Sequence, residues 1–476
     1  MITRGRFLES MAALAAAGVA PTGAFAGSSG PRRMRLGLIS DLHVKTTTSI
    51  APFEKALRYF DRMKADGVVC CGDLATSGIL SELQIVGEAW DRVFPSDRRS
   101  DGRHIEKLFI YGDHDMGGYA WRESKGILPD EELKRQTIPT LGAAECWERC
   151  FHEKWSPVMV KEVCGYTFVL AHHPRHDKAS EWGDFIPGVR EVLESRKDAL
   201  TGRRPFFYLQ HRILKDTIAG ALAWGQDHGQ VRKALEDFPN CIALFGHGHL
   251  NCADERMVWQ KEFTALEVPC LRYTVTLPGA VNSCFPDPAD KARGECSPMP
   301  EIAARDGRQG LLMDVYDDRL VIERLEFAYG DPNPVAAAWT VSLPPDAATH
   351  GYARRAAEEV APEFAADARV CVRETVAKTR GKSRVECYDV RFPSARSTSA
   401  TPRANRYEVA GSVDGVVRAV KEVYSPKCYL HEDLDMGWVK CLISKDEIAA
   451  GKGGVRFSVR PLGAFGAKGK AIEWAS

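Results

Sequence analysis

From Met34 onward, short apolar runs alternate with segments whose apolar residues recur at helical spacing, and several of the runs end on Asp or His. Met34–Ser40, Gly67–Cys71 and Leu108–Tyr111 read as strands. Phe53, Leu57, Phe60 and Met63 mark a helix between the first two, and Leu80–Val93 marks a second. Tyr166–Ala171, Pro205–Gln210 and Cys241–Phe245 continue the series, the last two separated by a helical stretch with Val231, Leu235 and Phe238. Strands and helices in this order bury their apolar faces as βαβ units, so the expected class is α/β, with helices flanking the strands.

The chain has 476 residues, 44% of them hydrophobic and 27% charged, which excludes a disordered chain, a collagen-like chain and a polytopic membrane protein. Sixty-four Lys and Arg balance sixty-four Asp and Glu. Without a basic excess, no nucleic-acid duplex is expected as a partner.

The N-terminus reads as an address. Arg4 and Arg6 precede an apolar run over Met11–Val19 that is too short to span a bilayer, and Ala24-Phe25-Ala26 supplies a small-x-small cleavage site before the linker Gly27-Ser28-Ser29-Gly30. Thr3–Glu9 resembles a twin-arginine signal, with Gly5 where the second arginine belongs, so the export route stays open. Residues 1–26 are expected to be an export signal, and the protein to be periplasmic or at the cell surface. No later segment reaches membrane-spanning length.

Two stretches break the βα rhythm: Met116–Gly165, an insertion carrying Trp121, Trp147 and Trp155, and the Pro/Gly/Asp-rich Val281–Glu301. The tryptophans are read either as a stacking surface for substrate or as a local core. Leu311–Tyr316 and Leu320–Phe327 then form a hairpin around Asp317-Asp318. After Pro344-Pro345 the texture changes to short strands and turns, which divides the chain into a domain over residues 27–345 and a C-terminal all-β, sandwich-like domain over 346–476. Of fourteen cysteines, Cys371, Cys387, Cys428 and Cys441 fall in that last part and could form two bridges. None shows the C-x-x-C spacing of a thiolate zinc site.

The chemistry-bearing residues sit just past the C-terminal ends of the expected strands, where open α/β sheets build their sites. Strand one runs into Asp41-Leu42-His43, strand two into Gly72-Asp73 and strand three into Gly112-Asp113-His114-Asp115. The strand at Pro205–Gln210 runs into His211, and the strand at Cys241–Phe245 into Gly246-His247-Gly248-His249. One Asp or His at a strand end is ordinary turn chemistry. Five such tips are not, and carboxylate oxygen with imidazole nitrogen is the donor set that Mn, Fe and Zn favour.

In that order the tips resemble the D-x-H, G-D, G-N-H-D/E, H and G-H-x-H motifs of the calcineurin-like metallophosphoesterase superfamily, over about Arg35 to Asn251, and the chain is similar to its exported bacterial members. The resemblance implies a metallophosphoesterase-type β-sandwich flanked by helices. It also implies two divalent or mixed-valence ions (Mn, Fe or Zn) that make a hydroxide and clamp a phosphoryl group. By position, Asp41, His43 and His249 would hold the first ion, Asp73 would bridge, and Asp113, His211 and His247 would hold the second. His114 would serve the phosphoryl group or the leaving oxygen as a catalytic residue, with Asp115 orienting its imidazole. The implied substrate is a small phosphomonoester or phosphodiester.

The chain departs from the motifs twice. Asp113 stands where the pattern has Asn, and His211-Arg212-Ile213 where it has His-x-Pro. The extra carboxylate is expected to leave Asp41, Asp73, Asp113 and Asp115 together without an assigned basic partner, and to favour a harder or more highly charged second ion. His172-His173-Pro174 competes for the fourth motif but comes one strand too early. His173, Arg175 and Arg212 are the candidate substrate contacts. Purple acid phosphatases are disfavoured because His43 and Thr76 occupy their Gly and Tyr positions. The alternative reading is a surface binding protein that keeps the metal site as structure and acts through its C-terminal module. His114 speaks for the enzyme, since a structural site has no need of a histidine that is not a ligand.

Overall fold

The computed structural model describes residues 30–127, 130–174, 188–202, 204–285, 299–302, 307–344, 351–379, 383–396, 403–426, 438–448 and 453–476. The export-signal reading and Arg175 lie outside them. Two six-stranded sheets carry the first part. One has β1 (Met34–Ile39), β2 (Gly67–Cys70) and β3 (Glu106–Phe109) in parallel, extended antiparallel by β10 (Gln309–Val315), β11 (Arg319–Glu326) and β12 (Asn333–Ser342), in the order β12-β11-β10-β1-β2-β3. The other has β4 (Val158–Val163), β5 (Tyr166–Ala171), β6 (Phe206–Leu209), β7 (Cys241–Phe245), β8 (Val258–Gln260) and β9 (Thr264–Glu267), in the order β4-β5-β6-β7-β9-β8.

The central strands β2, β6 and β7 are buried along their whole length, as their unbroken apolar sequences require. Between the sheets, Leu36, Leu38, Val69 and Leu108 pack in one core with Phe168, Leu170, Phe207 and Leu209. Outside the first sheet, Val68 and Phe109 meet α1 (Ala51–Arg62) and α2 (Leu80–Val93) through Phe53, Phe60, Leu83 and Trp90. In α1 the buried Phe53, Ala56, Leu57 and Phe60 form the single stripe that their 3–4 spacing dictates.

Met116–Gly165 is not an open loop. It continues α3 (Asp113–Ser124), passes through short helical turns into α4 (Ala143–Phe151) and ends in β4. Its tryptophans part company: Trp147 is buried and Trp155 half-buried in the core under α2, while Trp121 is 53% exposed.

Beyond β12 comes α5 (Tyr352–Glu358). β13 (Cys371–Lys378), β14 (Arg384–Pro393) and β17 (Trp438–Ser444) then form one antiparallel sheet, and β16 (Val416–Tyr424), β15 (Arg406–Val413), β18 (Val455–Leu462) and β19 (Ile472–Ala475) form another. Val390, Phe392, Cys441 and Ile443 of the first share a core with Tyr407, Val409, Phe457 and Val459 of the second, a sandwich within the compact unit Arg32–Ser476. Asn282 ties it to the earlier sheets by accepting from the Tyr424 amide at 2.8 Å and donating to the Tyr424 carbonyl at 3.3 Å. Cys371, Cys387 and Cys441 are free thiols, so they form no bridge among themselves, and Cys428 lies outside the described residues. Among the described residues no helix is long and apolar enough to cross a membrane.

Candidate metal centre

The tips of β1, β2 and β3 converge with those of β6 and β7. The first two zip together beyond their strands: the Asp41 amide donates to Gly72 and the His43 amide to Asp73, at 3.0 and 2.9 Å. The tip of β7 docks on the tip of β1, where the His247 amide donates to Asp41 Oδ2 at 3.1 Å. Glycines permit this approach. A Cβ at Gly112 would lie 2.2 Å from the Asp73 amide nitrogen, and one at Gly246 2.0 Å from Ser40 Oγ. The candidate ligand residues are themselves bent. Asp41, His43, Asp73, His247 and His249 all have positive φ, between 44° and 69°, in the left-handed region that side chains other than glycine seldom adopt.

Two triads result, Asp41–His43–His249 and Asp113–His211–His247, each with its ligand-type atoms within 4.8 Å of one another. Asp73 stands between them, with Oδ2 3.6 Å from His43 Nε2 and Oδ1 3.2 Å from His211 Nε2. His249 Nε2 lies 3.1 Å from Asp41 Oδ1, and His211 Nε2 lies 3.4 Å from Asp113 Oδ1. Imidazole nitrogens face each other at 3.2 Å in two places, His43 Nε2 with His249 Nε2 and His247 Nδ1 with His211 Nε2.

This donor set fits cations. Asp41 Oδ1 and Asp113 Oδ1 are buried with no hydrogen-bond partner. Backbone carbonyls, which only accept, settle two tautomers: Cys71 takes Nδ1–H of His211 at 2.7 Å and Tyr273 takes Nδ1–H of His249 at 3.2 Å. Each Nε2 is thereby turned into the cluster, where it holds a proton that a cation would displace. Electrostatics agree. Burial opposes ionisation of Asp41, Asp73 and Asp113, yet the surrounding histidines outweigh it and lower all three carboxyls. Burial likewise opposes charge on His211 and His249, but Asp73 and Asp113 raise the first and Cys270 and Asp41 the second well above the ordinary range, whereas at His43 burial prevails and the value falls to about 3. The carboxylates draw positive charge onto whatever can carry it.

His114 lies in the first turn of α3, beside the cluster. Its amide donates to Asp73 Oδ1 at 2.8 Å, its Nδ1 meets the Thr76 carbonyl at 2.8 Å, and its ring centroid is 4.7 Å from that of His43. Asp115 does not orient this imidazole. At the third position of α3 its carboxylate folds back and accepts the amides of Gly112, Ala75 and Leu74 at 2.7, 2.7 and 3.1 Å, pinning the second strand tip to the third. Burial and the nearby Asp73 charge push its carboxyl up to about 7 against those donors.

Of the expected substrate contacts, His173 is buried, with its ring 6.3 Å from that of His211. His172 accepts the Tyr111 amide at 3.1 Å among Tyr111, Trp147 and Trp155, a packing role. Arg212 is 3% exposed and donates to Asp113 Oδ2 at 3.0 Å. The acidic cluster therefore does have a basic partner. It was legible as Arg212, the residue after the fourth-motif histidine, but its pairing across 99 residues was not.

Two aromatic residues missed as a pair flank the centre. Trp121, two turns along α3 from His114, has its ring 6.1 Å from that imidazole. Trp224, 39% exposed, lies 5.3 Å from His247 and 5.1 Å from Phe285. Trp121 was visible as an insertion residue; Trp224 lay in a stretch with no motif.

Residues 34–288 match the calcineurin-like phosphoesterase superfamily domain. Solved structures similar to this chain include a dimetal phosphatase from Danio rerio (11% identity, TM-score 0.38, covering 66% of this chain and 100% of that one). Others are GAP50, the anchor in the inner membrane complex of Plasmodium (11%, 0.34, 65% and 88%), and Vps29 with zinc from Entamoeba histolytica (12%, 0.25, 65% and 99%). No curated protein matches the chain.

Proposed function

The chain belongs to the calcineurin-like phosphoesterase superfamily, and on that footing we propose that it is a dimetal phosphohydrolase acting on a small phosphomonoester or phosphodiester. The observation that carries this reading is the convergence of two triads about one shared carboxylate, Asp73, with the His114 ring beside it. Asp41, His43 and His249 would hold one ion, Asp113, His211 and His247 the other, and Asp73 both. When bound, a pair of Mn, Fe or Zn ions supplies Lewis acidity toward phosphoryl oxygens and lowers the pKa of a coordinated water.

The chain's own residues then do the positioning. Thr76 holds Nδ1–H of His114, and against burial the Asp73 and Asp113 charges raise its pKa, so the imidazolium form carries a second proton on Nε2 that can bond a phosphoryl oxygen or pass to the leaving oxygen. Asp115 locks the strand tips that carry Asp73 and Asp113. Trp121 beside His114 and Trp224 beside His247 offer apolar surfaces suited to the flat or apolar part of an ester. The site accepts a small ester rather than a polyanion, in keeping with the zero net charge.

The test is turnover of bis(p-nitrophenyl) phosphate and p-nitrophenyl phosphate by the purified protein with Mn, Fe or Zn. Metal-dependent hydrolysis that His114→Ala abolishes supports the enzyme. Absence of turnover with every ion returns the reading to a binding protein acting through its C-terminal sandwich.

We also propose export, to the periplasm or cell surface, on the charge and apolar pattern of residues 1–26. N-terminal sequencing of the mature protein would begin at residue 27.

A further inference from the structure

The metal-ligand candidates include three carboxylates, and among the described residues only Asp113 of them carries a guanidinium ion pair. Arg212 Nη2 reaches Asp113 Oδ2 at 3.0 Å, and both side chains are largely buried, at 3% and 15% exposure. Arg212 follows His211 directly, so the backbone that brings a ligand to the second triad also brings a permanent cation. The other oxygen, Asp113 Oδ1, is buried without a hydrogen-bond partner on the side of His211. The first triad has no counterpart. Asp41 is approached by His249, His43 and the His247 amide, and no Lys or Arg forms an ion pair with it or with Asp73 among the described residues.

Two subsites of similar donor composition therefore differ in charge. Asp41–His43–His249 brings one negative charge to its ion. Asp113–His211–His247 brings one negative charge already matched by Arg212. A unit charge about 6 Å from a divalent ion changes affinity by about tenfold even at the dielectric constant of bulk water, about 80, and by more in a partly desolvated cluster.

We propose that Asp113 and Arg212 form one charge-neutral unit that makes the second subsite the weaker cation site, so that the two ions bind in sequence, the Asp41 side first. This rests on the dimetal reading above. The pair thus offsets the third carboxylate, and the excess negative charge expected at Asp113 does not reach the second ion.

The test is calorimetric titration of the metal-stripped full-length protein with Mn2+. The wild type is expected to show two classes of site. Arg212→Gln removes the cation and is expected to tighten the weaker class by about tenfold or more, even while like-charge crowding lowers the melting temperature of the metal-free protein. Asp113→Asn strands the cation beside the ion and weakens that class by a similar factor. Asp113→Asn with Arg212→Gln restores neutrality and is expected to return affinity to within about threefold of wild type. Arg212→Lys, which keeps the charge but not the fork, is expected to stay near wild type.

A merely structural arginine would not make affinity and stability move in opposite directions. Two ions bound by the wild type with unchanged or weakened binding in Arg212→Gln overturns the inference and leaves the dimetal reading intact. The inference also falls if the double variant is no better than Asp113→Asn, or if Arg212→Lys tightens as Gln does. Should Arg212→Gln fail to fold, the Lys and double variants decide. A wild type that takes up no Mn2+ overturns the dimetal reading and this inference together.

Discussion

Thr76 and His114 meet at 2.8 Å, the backbone carbonyl oxygen of one against the imidazole Nδ1 of the other. A carbonyl only accepts, so the hydrogen sits on Nδ1, and Nε2 is the working nitrogen of a ring that lies beside the ligand clusters. His114→Ala is expected to lower kcat for phosphodiester hydrolysis by about 10²–10⁴-fold, the usual worth of a positioned acid, while metal content is retained. Steady-state kinetics with elemental analysis checks this. Loss of an ion together with activity would make His114 a ligand and reverse its assignment.

Removal of the ions addresses the cluster directly. Chelation is expected to stop turnover and lower the melting temperature, and returning Mn2+ to restore both. At a hundredfold excess over Kd, each site stabilises the fold by about 2.7 kcal/mol. Scanning calorimetry of stripped and reloaded protein reads the shift, and an unchanged transition would mean that the cluster takes no ion.

Trp121 shares a face of α3 with His114 and is more than half exposed. Trp121→Ala is expected to raise KM for aryl phosphate esters by about three- to tenfold, the range of one aromatic contact. KM for an alkyl ester such as glycerol phosphate, and kcat for both, should change little. An equal effect on the two esters would remove Trp121 from substrate recognition.

Glu326 ends β11 away from the ligand clusters. It is fully buried and accepts the amides of Arg308 and Ala328 at 2.7 and 2.8 Å. Burial raises its carboxyl from an ordinary 4.5 to about 7, more than those donors lower it. Between these values the folded protein holds a proton that the unfolded chain has released, so stability falls as pH rises through the window. The contribution is at most about 3 kcal/mol. Glu326→Gln is expected to flatten this slope and to be the more stable form at pH 7.5. Urea unfolding of metal-free protein at pH 5, 6 and 7.5 measures it, and parallel pH dependence of the two proteins would refute it.

The five strand tips were legible because each pairs a local signal, an apolar run ending in Gly or polar residues, with a ligand-type residue at the very next positions. The helices over Phe53–Met63 and Leu80–Val93 were legible from their periodicity. What failed was whatever depended on contacts distant in the chain. Asp115 follows His114 and reads as its partner, yet a residue three places after Gly112 at a helix start reaches backward to the strand tips instead. Arg212 reads as a substrate contact until the tip of β6 meets the tip of β3 at Asp113. His172 and His173 look alike in sequence, and only the packing of Trp147 and Trp155 assigns one of them to the core. The tryptophans of the insertion divided for the same reason, since a helical turn decides which indole faces inward.

The positive φ angles at Asp41, His43, Asp73, His247 and His249 have an evolutionary corollary. Each such residue costs about 1–3 kcal/mol relative to a relaxed backbone, and each is one that glycine would occupy at no steric cost. Replacement by glycine would erase a ligand while easing the fold, so these positions set robustness against chemistry. A descendant relieved of its reaction would be expected to drift toward glycine here first. At these five places the chain holds a polar side chain at a backbone cost that glycine would not incur.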